Sequence, residues 1–127
     1  WNNPRLTEET IRKGWLYTGD LATIDDEGFV YMKDRKKDMF ISGGMNVYPA
    51  EVEKIYLEHP KVSDVAIIGV SDPKWGEVGK AFIVLKEGQA IEFCTEKIAK
   101  YKIPKSIEFV DQLPKTSGGK IRKYLLK

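Results

Sequence analysis

The stretch with the most chemical content is Pro114-Lys115-Thr116-Ser117-Gly118-Gly119-Lys120-Ile121-Arg122. Paired glycines let the backbone turn tightly and stay exposed. They set Lys120 at the end of the turn, just before an expected closing helix. A lysine carried on a mobile glycine loop can reach into another surface and neutralise developing negative charge. The spacing is not that of a P-loop: Pro114 stands where the first glycine of GxxxxGK[ST] would fall, and Ile121 where its Ser or Thr would. A solvated surface loop is the competing reading.

Other residues offer weaker signals. Tyr17-Thr18-Gly19-Asp20 places a carboxylate after a glycine, where it can accept the two hydroxyls of a ribose diol or simply cap a turn. Arg35 carries a fork of donors suited to phosphate or ribose, or is one solvated cation among several. Trp75, within Asp72-Pro73-Lys74-Trp75-Gly76-Glu77, can stack on a planar base or anchor its loop. Tyr101-Lys102 pairs an aromatic with a cation, although helical spacing assigns Tyr101 to the core. The chain has one histidine, His59, and one cysteine, Cys94. Both read as structural, and their scarcity argues against a Ser-His-Asp triad, a His- or Cys-built metal site and an internal disulfide. A reducing, cytoplasmic setting is the expectation.

The chain of 127 residues is 42% hydrophobic and 31% charged, enough for one domain with a real core. No apolar run is long enough to span a membrane as a helix. The chain begins at Trp1 without Met or a leader, which suggests a piece of something longer and shows no secretory signal. The net charge of +2 hides an asymmetry: Lys97 to Lys127 holds nine Lys or Arg against two acids, a local +7. Such an end suits an anionic partner, whether nucleotide, coenzyme, nucleic acid or lipid; a solvated lysine-rich surface would look the same.

Several elements must position these groups. Leu21–Ile24 and Phe29–Met32 flank the turn signal Asp25-Asp26-Glu27-Gly28 and predict a hairpin. The charged run Asp34-Arg35-Lys36-Lys37-Asp38 is the best candidate boundary. Ser42-Gly43-Gly44-Met45 reads as a tight turn, and Pro49 opens a helix with Glu51 and Glu53 in its first turn and Val52, Ile55 and Tyr56 on its buried face. Val62–Val70 and Lys80–Leu85 read as central strands covered on both faces. Ile91, Cys94, Ile98 and Tyr101 predict a second helix, Ile107 and Phe109 a short strand, and Ile121, Tyr124 and Leu125 a closing helix. The fold class is α+β: a small mixed sheet flanked by helices and preceded by hairpins.

Taken together, Gly14-Trp15-Leu16-Tyr17-Thr18-Gly19-Asp20-Leu21, then Asp34–Asp38 with Ser42-Gly43-Gly44-Met45-Asn46-Val47-Tyr48-Pro49-Ala50-Glu51-Val52-Glu53, then Pro114–Arg122 closely resemble the carboxyl end of the adenylate-forming (AMP-binding) enzymes. These include the acyl-CoA synthetases, firefly luciferase and the adenylation domains of peptide synthetases. The resemblance covers nearly the whole chain, and the fatty acyl-CoA or 4-coumarate-CoA ligase branch looks nearest.

The resemblance implies an ATP- and CoA-dependent ligase that converts a carboxylic acid, expected to be a fatty acid, to an acyl-adenylate and then a thioester. It divides the chain into residues 1–36, the edge of a large adenylation domain, and 37–127, a mobile C-terminal domain. It assigns Asp20 to the ribose of ATP, Arg35 to the same nucleotide, Lys37 to the hinge and Lys120 to catalysis of adenylation. Gly43 and Gly44 would line the pantetheine path, with Trp75, Tyr101 and Lys102 near the CoA nucleotide. The family's phosphate loop, Mg2+-binding glutamate and acyl pocket have no counterpart here, so the chain is expected to need the missing N-terminal domain for turnover. The connection Lys86-Glu87-Gly88-Gln89-Ala90-Ile91 also looks shorter than the family's usual one. A peptide-synthetase domain that loads a carrier protein, and a non-catalytic basic binding module, are the alternatives; nucleic acid is not the expected partner.

Overall fold

The computed structural model describes residues 2–86 and 98–127. Helix α1 (Pro4–Thr10) starts on Asn3, whose side chain accepts from the Leu6 N–H at 3.0 Å. The short strands β1 (Ile11–Arg12) and β2 (Trp15–Leu16) pair antiparallel. The expected hairpin follows as β3 (Asp20–Ile24) and β4 (Val30–Arg35). Its turn is built by Asp25: one carboxylate oxygen accepts from the N–H groups of Glu27 and Phe29, and the other from the Tyr31 hydroxyl at 2.8 Å. These bonds, Phe29's first, hold the Asp25 carboxyl below its ordinary range. Trp15, Leu16, Ile24, Phe29, Val30, Tyr31 and Met32 all remain exposed on this part of the chain.

The main sheet is mixed, as the α+β reading requires. It runs β6 (Met45–Val47), β5 (Phe40–Ser42), β8 (Gly76–Leu85), β7 (Val62–Asp72), with β9 (Ser106–Phe109) also pairing with β8, in parallel. Gly43 and Gly44 have φ of 56° and 82°. Positive φ at both central residues is what a two-residue turn between β5 and β6 demands. On one face, Val65, Ile67, Ala81 and Ile83 pack with Phe40, Val47 and the α2 (Pro49–Leu57) residues Val52 and Tyr56. On the other face, Ala66, Ile68 and Phe82 meet Leu113, Ile121 and Leu126. Cover on both faces explains the near-continuous apolar runs of β7 and β8. Only β8 is central, however; β7 forms an edge of the sheet. Side chains blunt that edge: Glu53 accepts from the Ile67 N–H at 2.7 Å, and Asp64 from the Val65 N–H at 3.0 Å.

Helix α2 opens on Pro49 as expected, but its N-cap residue Tyr48 supplies no side-chain cap. Asp34 does so from β4, accepting the Ala50 N–H at 2.9 Å. This bond links the charged run to the helix beyond it. Asp34→Ala should therefore destabilise the protein by about 1 kcal/mol, the usual worth of a side-chain cap, while Asp34→Asn keeps an acceptor and loses less. Urea unfolding of the complete protein measures the difference, and equal stability of Asp34→Ala and the parent would refute the cap.

Four further expectations are corrected. Glu53 lies beyond the first turn of α2, where only Glu51 is acidic, and it serves the β7 edge instead. Tyr101 is not core: it is 38% exposed, in the 3-10 turn Lys100–Lys102. Ala99 is extended before that turn, which breaks the helical spacing to Ile98. The closing helix is a single 3-10 turn, Lys123–Leu125, with Tyr124 65% exposed. Ile121 and Leu126 reach the core instead, a spacing no helix face provides. The Gly118-Gly119 loop is also closed rather than loose: Thr116 N–H donates to the Lys120 carbonyl at 2.8 Å, and Lys120 N–H to Thr116 Oγ1 at 3.1 Å. The second helix with Cys94, and the short connection after Lys86, fall largely on residues 87–97, outside the described residues.

Candidate functional site

The β3–β4 register places Asp20 directly opposite Arg35. Arg35 Nε lies 3.3 Å from Asp20 Oδ1, and both side chains keep part of their surface in solvent. The next pair, Leu21 and Asp34, is followed by a bulge between Leu21 and Ala22. A carboxylate beside a guanidinium fork can accept hydroxyls and donate to an anion at one spot. Beyond Arg35 the chain turns: Asp38 N–H donates to the Arg35 carbonyl at 3.0 Å, so Lys36 and Lys37 are the two central residues of the turn. Lys37 is exposed there.

Arg35 and Lys37 line a cavity of about 400 Å³ that Lys120, Thr116, Arg122 and Lys123 line from the other side. The sequence-distant Lys120 and Arg35 therefore flank one space. The three lysines of this segment differ in their partners. Lys115 pairs with Asp64 at 2.5 Å and Lys123 with Glu53 at 2.6 Å. Lys120 has no carboxylate partner among the described residues. An exposed ammonium on a closed loop beside a positive cavity suits an anionic ligand. Glu53 is pushed up from the ordinary carboxylate range, first by burial; Lys123 and the Ile67 N–H oppose the shift and the Asp34 charge adds to it.

A second cavity of about 450 Å³ shares no lining residue with the first; Ser42, Trp75, Val78, Lys100, Tyr101, Ile103 and Lys105 form it. Trp75 sits at the tip between β7 and β8, where Asp72 accepts from the N–H groups of Lys74 and Trp75 at 2.9 Å each. Those bonds, with Lys105 and Lys74 nearby, lower the Asp72 pKa. Gly43 packs on the same indole: a Cβ there would meet Trp75 Cε3 at 2.7 Å. Lys74 and Lys105 each place Nζ 5.2 Å from the Trp75 ring. Gly44 faces open space. Lys102 is engaged elsewhere, its Nζ 2.6 and 2.8 Å from the Glu51 carboxylate oxygens, a bond that raises its pKa. The structure thus joins Gly43, Trp75 and Tyr101, and ties Lys102 to α2.

The model of the AMP-binding enzyme C-terminal domain matches residues 51–120, more than half of the chain. The chain belongs to that family. Two curated relatives are similar along its full length: a long-chain-fatty-acid–CoA ligase, FadD13, of Mycobacterium tuberculosis, 47% identical, and a 2-succinylbenzoate–CoA ligase of Bacillus cereus, 45% identical. The chain spans 26% and 27% of their respective lengths. The solved o-succinylbenzoate CoA synthetase (MenE) of Bacillus subtilis, in complex with the acyl-adenylate intermediate OSB-AMP, superposes with a TM-score of 0.92 at 42% identity. That match covers 99% of this chain and 27% of the other.

For this AMP-binding C-terminal domain, residue types and order carry the motif positions but not their partners. Sequence reasoning missed Asp34, Glu53, Glu51 and Asp64 as the acids that cap α2 or bind lysines. Their only signal was an excess of acids in the first part of the chain facing a basic end. Lys105 and Lys100 at the second cavity were equally unmarked, because each is one lysine among many until Trp75 and Tyr101 are placed beside it.

Proposed function

We propose that this chain is the C-terminal part of an ATP-dependent acid–CoA ligase, with a fatty acid as its substrate. The observation that carries the reading is Lys120, without a carboxylate partner among the described residues and on one cavity with Arg35, in a chain of the AMP-binding C-terminal family. Residues 1–36 then belong to the edge of the large adenylation domain. The exposed apolar side chains of β2, β3 and β4 suit burial against the remainder of that domain. Residues 37–127 form the moving part, with Lys37 as pivot in its exposed turn.

In this reading Asp20 accepts the ribose hydroxyls of ATP, and Arg35 donates to the same nucleotide. Lys120 stabilises negative charge as the acid's carboxylate attacks the α-phosphate and pyrophosphate leaves. Gly43 and Gly44 border the path of the CoA pantetheine. Trp75 and Tyr101 offer faces to the CoA base, Lys100 and Lys105 offer charge to its phosphates, and Lys102 acts by fixing the 3-10 turn through Glu51. Among the described residues no three His, Cys, Asp or Glu side chains gather to hold a cation. In this reading the Mg2+ that escorts ATP is held by the remainder of the ligase. Among the described residues no helix is long and apolar enough to cross a membrane; we place the ligase in the cytoplasm.

The test is AMP release by the complete protein supplied with ATP, CoA and one acid at a time. Saturated fatty acids are expected to support the highest kcat/KM. Higher kcat/KM with 2-succinylbenzoate would replace the fatty substrate by an aromatic dicarboxylate, and CoA-independent transfer to a carrier protein would overturn the CoA ligase reading.

A further inference from the structure

We propose that Glu53, acting through Lys123, is a positioning residue for Lys120; the inference rests on the reading of Lys120 as the adenylation lysine. Helix α2 covers one face of the sheet, and the C-terminal segment covers the other through Ile121 and Leu126. The two layers meet around the free edge of β7. There Glu53 Oε1 accepts from the Ile67 N–H at 2.7 Å and lies 2.6 Å from Lys123 Nζ, and both side chains are only 15% exposed. One carboxylate therefore binds helix, edge strand and C-terminal segment together.

The consequence for Lys120 follows from its place in the segment. Its loop is closed by Thr116 and by the bridge between Lys115 and Ile121. Upstream, Lys115 is fixed to Asp64 on β7; downstream, Lys123 is fixed to Glu53. Lys120 is held between these two anchors and turned to the cavity it shares with Arg35 and Lys37. The downstream anchor is the drier of the two. Removing one member of a buried pair leaves the other uncompensated, so the segment must move to rehydrate it. A catalytic charge displaced by about 1 Å can lose as much as about 10²-fold in rate.

The test uses the complete ligase. Glu53→Gln and Lys123→Met should each lower kcat for acyl-adenylate formation about tenfold, with KM for ATP nearly unchanged. Conversion of supplied acyl-adenylate to thioester should stay at the parent rate. Lys123→Arg should restore adenylation, and the double variant Glu53→Gln/Lys123→Met should be no slower than the worse single one, as for a coupled pair. Hydrogen exchange over residues 115–122 should quicken in Glu53→Gln. Equal loss of both half-reactions, or unchanged exchange over 115–122, would overturn the proposal. Full adenylation by Glu53→Gln beside a crippled Lys120→Ala overturns this inference alone. Full adenylation by Lys120→Ala overturns the reading beneath it as well.

Discussion

If Lys120 acts as proposed, Lys120→Ala in the complete protein should slow acyl-adenylate formation from acid and ATP by about 10²–10³-fold, roughly 3–4 kcal/mol, the usual loss when one preorganised donor leaves such a site. Thioester formation from supplied acyl-adenylate should continue near the normal rate, because residues 37–127, as the proposed moving part, have by then withdrawn Lys120 from the reacting atoms. Pyrophosphate exchange and single-turnover thioester assays separate the two steps. The neighbouring lysines are poor controls for a general charge effect, since Lys115 and Lys123 each hold an acid of the sheet or of α2. Lys127 lines the same cavity and is the better comparison. A similar loss in Lys127→Ala, erased by added salt, would make Lys120 one member of a steering patch rather than a catalytic group.

Gly44→Phe should do the opposite: thioester formation falls at least about tenfold while pyrophosphate exchange stays near normal. A Cβ at Gly44 would meet nothing within 4 Å, so the phenyl ring is expected to project into the proposed pantetheine path rather than into the core. Its φ of 82° carries a separate cost, of order 1–3 kcal/mol for a residue with a Cβ. Gly44→Asn adds a smaller side chain and keeps that cost low, because Asn tolerates positive φ. If Gly44→Asn and Gly44→Phe lose both steps alike, the turn is merely structural. Gly43→Ala is a different experiment: its Cβ would strike the Trp75 ring at 2.7 Å, so the indole must shift before any coenzyme arrives.

The family, the α+β class and the local turns were legible because they depend on short-range chemistry. Asp25 organises its turn with neighbours two to six residues away. The Gly43-Gly44 pair meets a backbone requirement that few other residues satisfy, and Pro49 starts a helix by itself. The apolar runs of β7 and β8 announce two covered faces whatever covers them. Spacing failed where a pattern was too short to outweigh tertiary contacts. Ile121, Tyr124 and Leu125 have helical spacing, yet Ile121 and Leu126 are the residues that reach the core, while Lys123 is drawn to Glu53.

What the tertiary structure alone decided is the allocation of charge. A lysine bound to an acid and a lysine free to meet a ligand look identical in sequence. Lys102 stands beside Tyr101 in the chain but is bound by Glu51. Lys115, Lys120 and Lys123 share one basic segment, yet two are paired and Lys120 is not, among the described residues. Asp20 and Arg35 become neighbours only through the register of a hairpin, and Arg35 and Lys120 line one cavity only once the C-terminal segment packs on the sheet. Backbone propensity is a property of a few consecutive residues, but an ion pair needs two side chains within about 4 Å, and that proximity is set by the packing of elements far apart in the chain.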